Sequence, residues 1–317
     1  MQRDKRAGES EFMATTSLTA RSETGLATAF LALCLGAVAM GISPVFVRFA
    51  NADVGPFASA FWRVFLALPV LYAWMRVEDA RAPSAHPRRP FATATVLAGL
   101  AFSGDLFFWH LSILNTTVAN ATFFATTAPL FVVLVVWLVL RRRVSRATFA
   151  GLGLCLLGGA ALIGQSLEVD PARIRGDVFG IATAVFFALY FVFVERARAV
   201  TGAARVTFES GVVTAAVLFV VALAFDSRVL PQTWQGIAAL CGMAFISQAG
   251  GQGLLAVALG RLPAVFSSLV IFLEAVAAAL FGWIILGEAL TLAQTLGGLL
   301  ILLGIWVARP KPEAPLT

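Results

Sequence analysis

Two similar stretches of sequence decide the fold: "WLVLRRRVSRATFAGLGLCLLG" at residues 137–158 and "WIILGEALTLAQTLGGLLILLG" at residues 283–304. Placed over each other at an offset of 146 residues, they are identical at 8 of 22 positions. The identities include Trp137 with Trp283, and Gly158 with Gly304. Between its apolar runs the first copy holds four arginines, whereas the second holds one glutamate. The chain therefore repeats a segment while reversing its charge.

The composition indicates a chain that is embedded mostly in the lipid bilayer. Of 317 residues, 60% are hydrophobic and only 13% are charged, with a mean hydropathy of +0.89. A soluble domain carries about 25% charged residues. No water-soluble fold of this length could bury so much apolar surface. The net charge of +6 comes from arginines in short clusters between apolar runs, so we expect no nucleic-acid partner.

Ten apolar runs are long enough to cross a bilayer, which requires about 20 residues for a helix. They occupy residues 25–49, 56–75, 91–114, 117–140, 146–165, 177–195, 206–225, 234–259, 264–286 and 291–308. Short alternating segments, which are typical of a membrane barrel, are absent from the sequence. The sequence predicts an all-α integral membrane protein with ten transmembrane helices.

The basic residues predict the orientation of these helices. If the N-terminus is cytoplasmic, 18 of the 23 basic residues lie in inside segments and 4 in outside segments, with Arg63 inside a span. Such an excess is the pattern of the positive-inside rule. We expect both termini to be cytoplasmic.

This orientation explains the reversed charge of the repeat. The two copies are separated by five spans, an odd number, so one is inverted relative to the other in the membrane. The connection "RRRVSR" (141–146) then lies inside, and its counterpart "GEALT" (287–291) lies outside. Inverted repeats are characteristic of secondary transporters, which bind substrate near the midplane where the repeats meet.

Specific motifs within the repeats resemble a known family. The stretch "TTAPLFVVLVVW" (126–137), followed by a span with Gly151 and Gly158, resembles the drug/metabolite transporter superfamily, and so does "LEAVAAALFGWIILGEALTLAQTLGGLLILLGIW" (273–306) with its Leu-Gly-Glu at 286–288. Members of the EamA type contain two five-helix domains. The resemblance implies ten helices in two inverted halves around a central cavity, and export of small metabolites. One departure is Ala275, where many members place a proline after the residue matched by Glu274.

The resemblance implies a division of the chain into two repeats, at residues 25–165 and 176–309. Residues 1–24 are polar and expected to be disordered, because they cannot bury enough apolar surface to fold. Residues 310–317 form a short cytoplasmic tail.

Five ionisable residues inside the predicted spans are candidates for function: Arg63, Asp105, His110, Glu209 and Glu274. A charge at the centre of a spanning helix costs about 2.5–3.5 kcal/mol on insertion scales. Glu274 could take up a proton, face a substrate ammonium group, or pair with Arg63 as a structural lock. Glu209 lies near the cytoplasmic arginines and is expected at the interface. Asp105 and His110 could equally serve structure.

Neutral polar and aromatic residues at helical spacing extend the predicted site. Pairs one helical turn apart share a face, and the alternative for each residue is ordinary helix packing. The predicted substrate-binding residues are Asp105, Trp109, His110, Asn120, Phe186, Tyr190, Gln248 and Gln252. Glu274 and Arg63 are candidates for a proton or ion-pair role, and Pro44, Pro129 and Gly250 for hinges. Within the superfamily, these aromatic candidates resemble the cavity residues of aromatic amino-acid exporters of the YddG type.

The sequence shows no phosphate-binding Gly-Lys-Ser/Thr loop and no nucleophile or metal-ligand motif, so we expect no enzyme activity, no cofactor and no metal. We predict a secondary transporter that exports amino acids, aromatic or other neutral ones, and related metabolites. Alternatives are another metabolite or drug, less favourably a phosphosugar or an organic cation, and a non-transport intramembrane protein.

The expected partners are a small-molecule substrate and the lipid bilayer. Duplication within one chain favours a monomer, because each half supplies the partner of the other. Richness in alanine, leucine and valine with only two lysines indicates a bacterial source and therefore the inner membrane.

Overall fold

The structure, a computed structural model, describes residues 25–81, 90–116, 118–163, 173–287 and 290–309. The predicted disordered segment 1–24, the tail 310–317 and Glu288 of the Leu-Gly-Glu motif lie outside the described residues.

The described chain is helical and contains no β-strand, which confirms the expected all-α class. It forms ten spans, named α1 to α10 in chain order. Their bounds are α1 Gly25–Ala50, α2 Pro56–Arg81, α3 Thr93–Asn115, α4 in the pieces Val118–Thr126, Ala128–Leu134 and Val135–Val139, α5 Arg146–Ile163, α6 Ile174–Arg198, α7 Ala203–Phe225, α8 Trp234–Ala258, α9 in the pieces Ala264–Val270 and Phe272–Leu286, and α10 Leu292–Ala308.

Seven of these spans are 22 to 26 residues long and apolar enough to cross a membrane. At 1.5 Å per residue, such helices cover a hydrocarbon layer about 30 Å thick. Helices α4, α5 and α10 provide shorter apolar stretches. Large exposed side chains such as Leu157 and Trp283 point outward, where lipid rather than water is their solvent.

Three spans are interrupted just before a proline. Helix α1 has a turn at Ile42 and resumes with Pro44 in its first turn. Helix α2 has a turn at residues 66–67 and resumes with Pro69 in its first turn. Helix α4 has a turn at Thr127 and resumes with Pro129 in its first turn. Proline lacks the backbone N–H that would continue the preceding helix. Helix α9 is also interrupted, at Ile271, although no proline follows. The departure at Ala275 therefore does not remove the break from the ninth span.

Helix α8 contains a π-helical segment, Met243–Gln252. A π-helix is wider than an α-helix, occurs mostly as single turns and is frequent at functional sites. The predicted pair Gln248 and Gln252 lies inside this segment.

The end of α9 explains part of the Leu-Gly-Glu motif. Gly287 follows the helix with a φ of 71°, in the left-handed region. A residue in this conformation commonly terminates a helix, and glycine adopts it without steric strain.

Helices α5 and α10, which contain the repeated stretches, pack against each other through glycines. A methyl group added at Gly151 would lie 2.5 Å from the Gly304 carbonyl oxygen, and one added at Gly158 would lie 2.5 Å from the Gly297 carbonyl oxygen. Small residues allow such close approach of helices in membranes. At the offset of 146 residues, Gly151 corresponds to Gly297 and Gly158 to Gly304. Each contact is therefore the copy of the other, as expected when a two-fold axis relates inverted repeats.

Polar contacts join the ends of the helices on one side of the molecule. This side carries Arg142, Arg198 and Arg205, and we call it the basic side. Arg205 donates to Asp79 at 2.5 Å, which links α7 to α2. The Glu195 carboxylate accepts from the Ala264 N–H at 3.2 Å, which links α6 to the start of α9.

On the opposite side, the connection between α1 and α2 binds the connection between α7 and α8. The Asp53 carboxylate accepts from the backbone N–H groups of Gln232 and Thr233, at 2.9 and 3.0 Å. The hydrogen bond from Thr233 is the main reason that the pKa of Asp53 lies below its usual value of 3.8. Nearby, the Trp62 indole N–H donates to the Val229 carbonyl oxygen at 2.7 Å.

Candidate transport cavity

A cavity lies near the middle of the spans, between α1, α2, α3, α4, α6, α8 and α9. It contains about 960 Å³ of space free of protein atoms, counted with the open space at its mouth. Charged, neutral polar and aromatic side chains from both repeats line this cavity.

Helices α4 and α9 contribute equivalent positions to the cavity wall. The lining residues of α4 are Ala125, Thr126, Ala128 and Pro129, and their equivalents at the offset of 146 residues are Ile271, Phe272, Glu274 and Ala275, all of which also line the cavity. The helical breaks at Thr127 and Ile271 fall within these stretches. The cavity is therefore enclosed by corresponding parts of the two repeats, but Glu274 has only an alanine as its counterpart.

Three ionisable side chains line this cavity: Arg63 from α2, Asp105 from α3 and Glu274 from α9. Arg63 and Asp105 are each 8% exposed. The hydrogen bonds of Arg63 go to neutral partners rather than to Glu274. Its Nε donates to Gln248 Oε1 at 3.2 Å and its Nη1 donates to Ser43 Oγ at 3.4 Å. Arg63, Asp105 and Glu274 therefore share one cavity, while neutral side chains hold the guanidinium in place.

Gln252 brings a neutral polar group to the cavity. The residue is 2% exposed, and within the described part of the chain its Oε1 atom is buried without a hydrogen-bond partner. A buried acceptor without a partner costs about 1–3 kcal/mol. A ligand N–H or O–H group in the cavity could remove this cost.

The remaining walls are largely aromatic. The aromatic lining residues are Phe102, Trp109, Phe187, Phe191 and Phe272. Sequence reasoning identified Trp109 but missed the four phenylalanines. Thr183, Phe187 and Phe191 follow one another at intervals of four residues and form the cavity-facing stripe of α6.

The predicted pair on α6 does not line the cavity. Phe186 stacks on Phe108 of α3, with ring centroids 5.3 Å apart, and packs over Gly104. Tyr190 is 2% exposed and stacks on Phe102, at 4.8 Å, and on Phe187, at 6.1 Å. Phe186 therefore joins two helices, while Tyr190 supports two cavity residues from behind.

His110 and Gln248 also lie behind the cavity wall. The Nδ1 atom of His110 lies 2.7 Å from the Leu106 carbonyl oxygen of its own helix, and its ring contacts Trp109 edge-on. Gln248 is 2% exposed and holds the Arg63 guanidinium. The side chain of Asn120 lies outside the described part of the chain.

The predicted hinge residues have different positions. Pro44 and Pro129 line the cavity beside interruptions of α1 and α4. Gly250 lies in the π-helical segment of α8 and is absent from the cavity lining described here.

Glu209 lies apart from the cavity, toward the basic side. It accepts from Arg205 at 3.0 Å and from the Phe91 N–H at 2.9 Å. It therefore joins α7 to the start of α3.

Comparison with known proteins identifies relatives of both halves of the chain. The model of the EamA-like transporter family matches residues 27–164 and again residues 174–309. An uncharacterized transporter of Archaeoglobus fulgidus is 28% identical over 277 residues, which cover 87% of this chain and 94% of that protein. A second uncharacterized transporter of Archaeoglobus fulgidus is 27% identical over 150 residues, covering 47% of this chain and 50% of that protein.

A solved crystal structure has the same fold. It superimposes with a TM-score of 0.76 over 90% of this chain and 97% of its own, at 20% sequence identity.

Proposed function

The chain belongs to the EamA-like transporter family, and we propose that it exports amino acids, aromatic or other neutral ones, and related small metabolites by alternating access. It is a multi-pass membrane protein and a transporter of this family. The central cavity supports the choice of substrate, because it presents a guanidinium and two carboxylates between aromatic walls. A zwitterion with an apolar side chain is complementary to such a lining. This combination of charges is the observation on which the proposal rests.

The positive-inside pattern supports a location of both termini in the cytoplasm. The richness in alanine, leucine and valine with only two lysines supports a bacterial inner membrane. The direction, from cytoplasm outward, follows from the resemblance to metabolite exporters. During export the basic side would open to admit substrate, which requires release of contacts such as that between Glu195 and the Ala264 N–H.

A second candidate substrate is an organic cation. Among the described lining residues, the two carboxylates Asp105 and Glu274 outnumber the single guanidinium of Arg63. A phosphosugar is less suitable, because phosphate recognition favours several cationic groups.

Transport assays with purified protein in proteoliposomes test the proposal. We expect saturable counterflow of labelled phenylalanine, tryptophan or leucine, in competition with unlabelled amino acids. Gln252→Ala and Trp109→Ala are expected to raise the KM about tenfold, the equivalent of one hydrogen bond or one aromatic contact.

Two substitutions outside the cavity serve as controls. Gln235→Ala and Trp234→Ala alter exposed residues in the first turn of α8 and should leave the KM unchanged. Unaltered flux in both Gln252→Ala and Trp109→Ala would remove these residues from the site. Absence of flux for every amino acid in the wild type would refute the proposed substrate class.

A further inference from the structure

Arg63 is a buried cation whose hydrogen-bonding capacity is largely unused. A guanidinium has five N–H donors in a planar fork. In the described part of the chain, two of them have acceptors, Gln248 Oε1 and Ser43 Oγ, at the long distances of 3.2 and 3.4 Å. The group also lines the cavity. Its remaining donors are therefore available to a ligand.

The partners of Arg63 are both neutral, although a buried charge is normally paired. Burial of an unpaired ion costs several kcal/mol, and a well-placed counter-ion offsets that cost. Asp105 and Glu274 line the same cavity, but neither is a hydrogen-bond partner of Arg63 in the described structure. Gln248 and Ser43 thus hold the guanidinium in place without neutralising it.

The ligand group that matches a guanidinium fork is a carboxylate, which accepts two parallel hydrogen bonds. A zwitterion would place its carboxylate at Arg63 and its ammonium group toward Asp105 and Glu274. An amine without a carboxylate would satisfy the acidic side chains but would leave Arg63 unpaired. A carboxylic acid without an amine would add a further carboxyl group to a cavity that already has two acidic side chains.

We propose that Arg63 is the specificity-determining residue of the cavity: it selects substrates that carry a carboxylate and discriminates against the corresponding amines. Gln248 is the positioning residue that orients Arg63 from behind. This inference rests on the proposed transport of amino acids and specifies which part of the substrate the cavity recognises.

Competition experiments in proteoliposomes test this role. Counterflow of labelled phenylalanine would be inhibited with unlabelled phenylalanine, with phenethylamine, which lacks the carboxylate, and with 3-phenylpropionate, which lacks the amine. For the wild type we expect half-maximal inhibition to require a concentration of phenethylamine at least about tenfold higher than that of phenylalanine. This factor is the equivalent of one charge-assisted hydrogen bond.

Substitutions at position 63 should alter this ratio. Arg63→Gln removes the charge and should weaken the inhibition of counterflow by unlabelled phenylalanine. Inhibition by phenethylamine should stay the same or become stronger, because both acidic side chains remain. Arg63→Lys keeps the charge but loses the planar fork of donors. Its ratio of inhibitory concentrations, phenethylamine to phenylalanine, should therefore lie between those of the wild type and Arg63→Gln. Arg76→Gln, at an exposed arginine of the same helix, should behave as the wild type.

The outcomes separate this inference from the proposed function. Equal competition by phenylalanine and phenethylamine in the wild type, or an equal loss of both in Arg63→Gln, would overturn the role of Arg63 while amino-acid transport stands. Lack of any amino-acid flux in the wild type would refute the proposed function, and the inference would fall with it. If Arg63→Gln does not yield folded protein, the wild-type ratio and Arg63→Lys decide the question.

Discussion

The sulfur of Cys155 lies 3.6 Å from the carbonyl oxygen of Ile301, the residue that occupies the same position in the second repeat, 146 residues later. Contact between a residue and its own counterpart marks the position of a two-fold axis. The glycine contacts on either side, Gly151 with Gly304 and Gly158 with Gly297, obey the same symmetry. The interface between α5 and α10 thus shows the two-fold symmetry that relates the two repeats.

The close packing at this interface predicts that a larger residue there will lower the free energy of unfolding. Gly158→Ala would place a methyl group 2.5 Å from the Gly297 carbonyl oxygen, which belongs to the backbone and cannot rotate away. The helices must separate, and we expect a loss of about 1–3 kcal/mol in the free energy of unfolding, as for other overpacked sites. Thermal unfolding of the purified protein in detergent measures the effect.

Gly153→Ala is the matched control on the same helix. A methyl group added at Gly153 has no atom within 4 Å among the described neighbours. Its unfolding midpoint should stay the same or rise slightly, since alanine favours the helix more than glycine does. Equal midpoints for Gly158→Ala and Gly153→Ala would contradict the close packing of α5 and α10.

Two adjacent phenylalanines of α6 should behave differently when replaced. Phe187 lines the cavity, whereas Phe186 stacks on Phe108 between α6 and α3. We expect Phe187→Ala to raise the KM for an aromatic substrate about tenfold, through loss of a stacking surface. Phe186→Ala should instead lower the unfolding midpoint and leave the KM of the folded fraction near the wild-type value.

Measuring both quantities for both variants assigns each side chain to binding or to packing. The reverse pattern, a raised KM in Phe186→Ala and a lowered midpoint in Phe187→Ala, would indicate that Phe186 faces the cavity and would contradict the orientation of α6 in the structure.

The bond network around Asp53 predicts sensitivity to acid. Its backbone hydrogen bonds hold the pKa below the usual value of 3.8, so the folded state binds this proton less well than the unfolded state. The contribution to stability is therefore present above the unfolded pKa and is lost as the pH falls through the folded pKa. Between pH 5 and pH 3 we expect the unfolding midpoint to fall less in Asp53→Asn than in the wild type, starting from a lower midpoint at pH 7.

Parallel curves for the two proteins over this pH range would show that Asp53 makes no contribution of this kind. A conservative amide at position 53 keeps the size of the side chain, so a difference reports the charge rather than the packing.

The fold could be predicted from the sequence because its signals are coarse and repeated. Ten apolar runs and an inverted repeat are properties of long segments, so an error in the assignment of one residue does not alter them. The break in α9 at Ile271 could not be predicted in this way, because no proline follows it. It lies two residues before Leu273, the residue that corresponds to the break of α4 at Thr127, so the two repeats are interrupted at neighbouring rather than identical positions.

The site was harder to predict, because helical periodicity shows which residues share a face but not which neighbour that face meets. On α6, Phe186 and Tyr190 share a face, but the stripe that reaches the cavity is one residue further on, at Phe187 and Phe191. On α8, Gln248 and Gln252 are four residues apart, and the π-helical winding between them alters the angle that this spacing implies. Gln252 accordingly reaches the cavity, and Gln248 reaches Arg63.

The wall formed by α4 and α9 has a further consequence, since Glu274 occupies the position that Ala128 occupies in the first repeat. An assembly of two identical halves would have to carry a carboxylate at both positions or at neither. Fusion into one polypeptide allows the two corresponding walls to differ in charge, as they do at these two positions.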